Sequence, residues 1–203
     1  MIRLYHSPRT RSVRILWLLE ELGTPYELQT LTFSPSELKS ERYLRVNPLG
    51  KVPAIEDGDV HMFESGAIVE YLIERYGDGR LAPPPGTPAR AAYLQWLHFA
   101  ESTAMPPLSE LAQHTMFKPE DERIAAVIPD AKARIQTWLQ VVEAALAGNE
   151  FICGAAFTGA DVMLGYSALL PKWFGHLGAQ HANVQAYLSR LEARPALQKA
   201  LSS

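Results

Sequence analysis

The chain of 203 residues contains one cysteine, Cys153, and that scarcity removes several chemistries at once. A lone cysteine cannot build an intrachain disulfide framework, a cysteine-rich zinc site or a Cys-x-x-Cys redox pair. Long apolar runs are also missing. No stretch approaches the ~18 uninterrupted apolar residues of a membrane-spanning helix, and Met1-Ile2-Arg3-Leu4-Tyr5 lacks the apolar run of a secretory signal. Charge imbalance is small: 19 Lys and Arg against 22 Asp and Glu leave −3. No nucleic acid and no membrane surface is therefore expected as a partner. The six histidines show neither H-x-x-x-H nor H-E-x-x-H spacing, and no metal is expected. These absences point to a reduced, cytoplasmic compartment.

What is present suits an ordinary globular core, with 47% hydrophobic and 20% charged residues. A compact chain of this size buries roughly 70% of its extended surface. The sharpest break in composition is Ala82-Pro83-Pro84-Pro85-Gly86-Thr87-Pro88, where four prolines and a glycine fall in seven residues. Such a segment continues neither a helix nor a central strand, and residues 81–88 read as a linker.

Before the linker, short β-like and helical segments alternate. Residues 2–6 alternate as a strand, and Ile15, Leu18, Leu19 and Leu22 form a helical stripe that Gly23 and Pro25 end. Residues 26–31 read as a second strand, and residues 35–46 as helical or irregular. Residues 52–56 and 60–63 flank Asp57-Gly58-Asp59 as a hairpin, and residues 65–76 form a helix. The order β-α-β-α-β-β-α over residues 1–80 is that of a small α/β layer domain. Residues 89–203 read as helical throughout: one long helix over 89–115 bent by Pro106-Pro107, an amphipathic helix over 124–146 kinked at Pro129, and a third opened by Thr158 and Asp161. Thr158 with Asp161 resembles a capping box with Asp in place of Glu. Residues 183–193 and 196–201 close the chain as helices. The fold class is α/β plus all-α.

Three short motifs can carry chemistry. Val52-Pro53 sits between a turn and a strand, where an X-Pro bond is either an ordinary edge feature or a cis bond that turns the Val52 backbone toward a ligand. Glu64-Ser65 stands where a strand yields to a helix. Ser65 there reads as the N-cap, and the amides behind it can receive an anion while Glu64 meets an ammonium group. At the first strand–helix junction, His6-Ser7-Pro8-Arg9-Thr10-Arg11-Ser12-Val13-Arg14 gathers three hydroxyls and three further arginines at Arg9, Arg11 and Arg14. Hydroxyls and amides at such a junction can stabilise a thiolate. Each motif also has a plain structural use as a cap or a turn.

In combination, the pieces resemble the cytosolic glutathione S-transferase family over essentially the whole chain. The resemblance is carried by Leu4-Tyr5-His6-Ser7-Pro8, by residues 14–23, by Asn47-Pro48-Leu49-Gly50-Lys51-Val52-Pro53-Ala54-Ile55 and by Glu64-Ser65-Gly66-Ala67-Ile68. Trp96-Leu97-His98-Phe99-Ala100-Glu101 and Phe157-Thr158-Gly159-Ala160-Asp161 extend it into the helical part. The resemblance implies a thioredoxin-like domain at residues 1–80 that binds glutathione, the linker at 81–88, and an all-helical domain at 89–203. It implies a cis Val52–Pro53 bond whose backbone pairs with the cysteinyl part of glutathione, and Glu64 and Ser65 holding the γ-glutamyl amine and carboxylate. Lys51 and Lys39 would face the glycyl carboxylate. Thr158 and Asp161 match the family's folding motif, and Glu101 lies on the helix that dimers of the family pack together. A homodimer, a cytoplasmic location and a role in detoxification are implied with it.

Family members differ in the group that keeps the glutathione sulfur ionised. The tyrosine position of one type is here His6, with Tyr5 on the other face of the strand, and the cysteine position of another is Arg11. The serine-type position is Thr10, with Arg14 four residues on. A threonine hydroxyl is no base, but it can donate a hydrogen bond to a thiolate. Ser12, then Ser7, and the helix amides with the charge of Arg11, are the alternatives. For a small hydrophobic electrophile between the domains, Met105, Leu108, Leu111, Met116, Phe117, Trp173 and Phe174 offer an apolar lining. The expected activity is transfer of an alkyl or aryl group to glutathione. A non-catalytic binding or regulatory protein of the same fold and a glutathione-dependent isomerase are the competing readings.

Overall fold

Period-two alternation at the start of the chain forms β1 (Ile2–His6), with Ile2 and Leu4 buried. α1 (Ser12–Leu22) follows, and its apolar run is buried from Val13 through Leu19. Gly23 ends it in the left-handed conformation at φ 69°, where a side chain would be strained. β2 (Tyr26–Thr30) runs parallel to β1, pairing Ile2 with Tyr26 through His6 with Thr30. The segment read as helical or irregular is two short helices, α2 (Pro35–Leu38) and α3 (Glu41–Leu44). β3 (Ala54–Asp57) and β4 (Val60–Phe63) make the hairpin, β3 pairing antiparallel with β1, and the sheet order is β2-β1-β3-β4. α4 (Ser65–Tyr76) closes the region. A cluster of Tyr5, Leu31, Leu38, Tyr43, Val52 and Ala54 covers one side of this sheet, the Tyr5 and Tyr43 rings 5.6 Å apart.

The computed structural model describes residues 1–203 and contains two compact units, Met1–Ala82 with Glu192–Ser203, and Pro83–Leu191. In the second unit Thr87 caps α5 (Pro88–Phe99) by accepting the Arg90 N–H at 3.2 Å, and Pro88 occupies the first turn, where its missing donor is not needed. The helix expected to bend is helical from residue 88 to residue 117 and widens on the way. A π-helical stretch, Ala100–Ala104, leads into α6 (Met105–Ala112), and a second, Gln113–Phe117, follows it. The ring of Pro106 would meet the carbonyl of Ser102 in a regular helix, and the wide turn around Ser102 relieves that clash.

A 3₁₀ turn at Glu120–Glu122 precedes α7 (Val127–Ala145). Pro129, expected to kink this helix, lies in its first turn and breaks no backbone bond. α8 (Gly159–Trp173) is buried on almost every side, including Val162, Met163, Leu164 and Leu169. Its start is a complete capping box. The buried Asp161 carboxylate accepts the Thr158 N–H at 2.8 Å, the Thr158 hydroxyl at 3.0 Å, the Ile152 N–H at 2.8 Å and the Tyr187 hydroxyl at 3.0 Å. α9 (Ala182–Glu192) supplies that tyrosine.

α10 (Pro195–Leu201) packs against α1 and belongs to the first unit, whereas the sequence reading counts residues 192–203 with the helical domain. The reason is chemical. Arg194 holds both carboxylate oxygens of Glu21, at 2.6 and 2.7 Å, and Lys199 reaches Glu20 at 2.7 Å. Leu197 and Ala200 are buried with them. Burying the leucine alone is worth about 2 kcal/mol.

Candidate active site

The junction between β1 and α1 is built from hydroxyls that hold one another. Ser12 is fully buried, and its Oγ accepts the Ser7 N–H at 3.1 Å while lying 2.9 Å from His6 Nδ1, 2.7 Å from Thr10 Oγ1 and 3.1 Å from the Ser7 carbonyl. One hydroxyl has one hydrogen and two lone pairs, so that atom has no capacity left. Thr10 differs in exposure. Its Oγ1 lies 2.7 Å from the Ser7 carbonyl and 2.7 Å from Ser12 Oγ and accepts the Ser12 N–H at 3.4 Å, but the residue is part-exposed. The amides at the helix start are also engaged: Val13 donates to the Thr10 carbonyl at 3.0 Å and Arg14 to the Arg11 carbonyl at 3.2 Å. Arg11 is half-buried at the N-cap, and its side chain does not cap the helix.

Tyr5 is no candidate for thiol activation. Its hydroxyl donates to Glu56 at 3.0 Å, and burial with that carboxylate pushes its pKa up. His6 is buried at the end of β1, and burial pulls its pKa down, against smaller opposing contributions from the backbones of Ser203 and Ser12. The ring is therefore neutral at physiological pH.

At the start of α4 the structure moves one assignment. The N-cap is Glu64, not Ser65, and Ser65 is the first residue of the helix. Glu64 holds φ 76° and ψ 105°, a region costly for a residue with a side chain, and its carbonyl accepts the Ile68 N–H at 2.9 Å. The amides of Ser65, Gly66 and Ala67 thus head the helix. Ser65 Oγ accepts a bond from Arg14 Nη1 at 3.1 Å, and both residues are buried. Arg14 is a site residue that the sequence reading used only as a spacing mark. The signal was an arginine set among Val13, Ile15 and Leu16, where an unpaired charge would be costly.

The Val52–Pro53 bond is cis. Pairing of β1 with β3 reaches only as far as Tyr5 and Ala54, so Val52 stands beyond the ladder. The preceding turn is locked by Asn47, which gives Nδ2 to the Lys51 carbonyl at 2.7 Å and accepts the Leu49 N–H at 3.0 Å, and by the Tyr43 hydroxyl on the same Lys51 carbonyl at 2.6 Å. Gly50 is required there: φ is 58°, and a Cβ would come within 2.5 Å of the Leu38 carbonyl. Lys51 is exposed. Lys39 donates to the Leu49 carbonyl at 2.7 Å, which ties its ammonium group to the turn rather than leaving it wholly for a ligand.

In the second unit, Leu108, Leu111, Met116 and Phe174 line a hollow of about 300 Å³, together with Thr115, Lys132 and His176. Leu108 and Met116 are thus brought together. Met105 is core, and Phe117 and Trp173 are exposed outside that wall, Trp173 meeting the Tyr166 ring edge-on at 6.4 Å. Glu101 lies half-buried in the first π-helical stretch. Burial beside Asp161 pushes the Cys153 thiol up to about 11, so it carries its proton.

Comparison with known proteins bears on both units. The sequence model described as "Glutathione S-transferase, N-terminal domain" matches residues 1–74, and that described as "Glutathione S-transferase, C-terminal domain" matches residues 109–203. The chain is 32% identical to glutathione S-transferase-like protein OpS6 of Beauveria bassiana, over 98% of this chain and 93% of that protein. It is 28% identical to glutathione S-transferase 3 of Schizosaccharomyces pombe, over 97% and 85% respectively. Among solved structures, glutathione transferase URE2P6 of Phanerochaete chrysosporium, in complex with oxidized glutathione, superposes with a TM-score of 0.88 at 29% identity, over 99% of this chain and 94% of that one. The thioredoxin-like sheet, the helical region and these matches make one finding: the chain belongs to the glutathione S-transferase family.

Proposed function

We propose that this glutathione transferase holds glutathione on its first unit and keeps the sulfur ionised with the Thr10 hydroxyl, for attack on a small hydrophobic electrophile. The observation that carries the reading is the contrast between two neighbouring hydroxyls. Both hydroxyls have their bonds made, but Ser12 is buried, whereas Thr10 is part-exposed and can turn its one hydrogen from the Ser7 carbonyl to an incoming sulfur. A thiol with pKa near ~8.5 is mostly protonated at neutral pH. A hydrogen bond given to its anion lowers that value, and Thr10 acts as donor rather than as base.

Binding follows the same physics. The γ-glutamyl carboxylate sits at the start of α4 against Ser65 and the first-turn amides, with the guanidinium of Arg14 behind Ser65 adding positive potential. Exposed Glu64 takes the ammonium group. Val52 offers its backbone N–H and C=O to the cysteinyl unit, as a short strand would. Lys51, with Lys39 beside it on the turn, faces the glycyl carboxylate. The hollow at Leu108, Leu111, Met116 and Phe174 receives the electrophile.

Calorimetry with glutathione, and conjugation of a chlorinated nitroaromatic by the same sample, test the reading. Micromolar to millimolar binding with turnover is expected. Absence of binding at millimolar glutathione defeats the enzyme reading, and binding without turnover across a panel of electrophiles favours a binding protein. Wild-type rate and thiol pKa in Thr10→Val would remove Thr10 from its role.

A further inference from the structure

The hydroxyl chain behind Thr10 begins at a side chain that the reaction has not yet used. His6 lies fully buried at the end of β1, its Nδ1 2.9 Å from Ser12 Oγ, which is 2.7 Å from Thr10 Oγ1. The remaining polar contacts come from Ser7. Its N–H donates to Ser12 Oγ at 3.1 Å, and its carbonyl stands 3.1 Å from Ser12 Oγ and 2.7 Å from Thr10 Oγ1. Apart from the one made by the Ser7 N–H, two hydroxyl hydrogens and one ring hydrogen serve these contacts. The ring tautomer therefore decides where the other two hydrogens go.

With its hydrogen on Nε2, the ring accepts at Nδ1 and draws the Ser12 hydrogen to itself. Thr10 Oγ1 then receives only the Ser12 amide, at 3.4 Å. With the hydrogen on Nδ1, the ring donates to Ser12, Ser12 donates to Thr10, and the Thr10 hydrogen is the outermost of the series. Once a thiolate replaces the Ser7 carbonyl as its acceptor, every donor points toward the sulfur, and each bond polarises the next. Nε2 is buried and makes no hydrogen bond, while the Ser203 backbone near the ring favours its protonated form. By geometry a hydrogen on Nε2 would have no partner within bonding distance, which buried structure tolerates less than an unused lone pair.

We propose that His6 is a positioning residue whose neutral Nδ1–H form sets the direction of the His6–Ser12–Thr10 series and so aims the Thr10 hydrogen at the glutathione sulfur. The proposal rests on the reading of Thr10 as thiolate donor. Nitrogen-15 NMR of the wild-type imidazoles with glutathione bound is the first test, since it needs no variant. Protonation of His6 at Nδ1 is expected, and protonation at Nε2 overturns the proposal. The second test titrates the bound thiol through the ultraviolet absorbance of the thiolate. His6→Phe is expected to raise its pKa by about one unit, a tenfold loss of thiolate at a pH below both values. kcat/KM should fall about as far, while KM for glutathione holds and the rates converge at high pH. His6→Asn, whose amide can donate to Ser12, should restore most of the loss. An unchanged thiol pKa in His6→Phe, with a raised one in Thr10→Val, overturns the role of His6 alone. An unchanged value in Thr10→Val removes the reading beneath it and the proposal with it. Should His6→Phe fail to fold, the tautomer measurement decides.

Discussion

A threonine caps α8 and another stands two residues before α1, and the two sit among polar groups in opposite ways. At the start of α8, Thr158 meets a buried carboxylate, and Asp161 accepts four bonds from three different segments. At the start of α1, Thr10 meets no acid. It faces another hydroxyl and a carbonyl, and it is part-exposed. The first arrangement is closed: every donor has an acceptor, and nothing faces outward. The second is open at one end. The same residue type is structural where its bonds are sealed from water, and in the proposed function it is chemical where one bond can be exchanged for a ligand.

Substitutions can separate the two starts, and the largest effect belongs to the closed one. Asp161→Ala leaves buried donors on Ile152, Thr158 and Tyr187 without acceptors, and should lower the unfolding free energy in urea by more than ~3 kcal/mol. The rate per folded molecule should hold. Thr10→Val inverts the pattern: kcat/KM should fall about thirtyfold, near ~2 kcal/mol, the worth of a hydrogen bond to an anion. Its unfolding free energy should move by less than ~1 kcal/mol. If Thr10→Val instead costs stability and spares rate, the two starts are alike and the comparison fails. Thr158→Ala should cost ~1 kcal/mol of stability, as a lost cap does, with no change in the bound thiol pKa.

The smallest effect is one of pH. The pKa of His6 is lowered by burial, so the unfolded chain takes up the proton first. Stability is complete above the unfolded value near ~6.5 and declines as pH falls toward the lowered one. His6→Asn should flatten the unfolding midpoint over that window. A midpoint that stays just as steep would assign the decline to another group.

Much of this was legible in the residues themselves. Period-two and 3.6-residue patterns locate β1, α1, the hairpin and α4, because each buries one defined face. Thr158 and Asp161 announce their cap by spacing alone. Other features depend on distant partners. Nothing near Arg14 shows that its guanidinium meets Ser65, 51 residues on. Pro129 reads as a kink until the helix start is known, and Pro106 reads as a bend until the widened turn is seen. Met105 and Met116 are alike in sequence, yet one is core and the other half-exposed. The sharing of hydrogens among His6, Ser12 and Thr10 is a matter of ångströms, which no periodicity encodes.

The attachment of α10 to α1 has a consequence for how this chain acquires its structure. In sequence, Pro83–Leu191 is an insertion within the first unit, since that unit is made of Met1–Ala82 and Glu192–Ser203. Until residues 192–203 leave the ribosome, Glu20 and Glu21 lack the cations that will hold them. The closing contact joins residues 173 apart, a long loop to draw shut, and such closures are slow. A fragment of residues 1–82 expressed alone would carry the whole sheet and still present the α10-facing side of α1 to water. Synthesis therefore makes the first unit begin first and finish last.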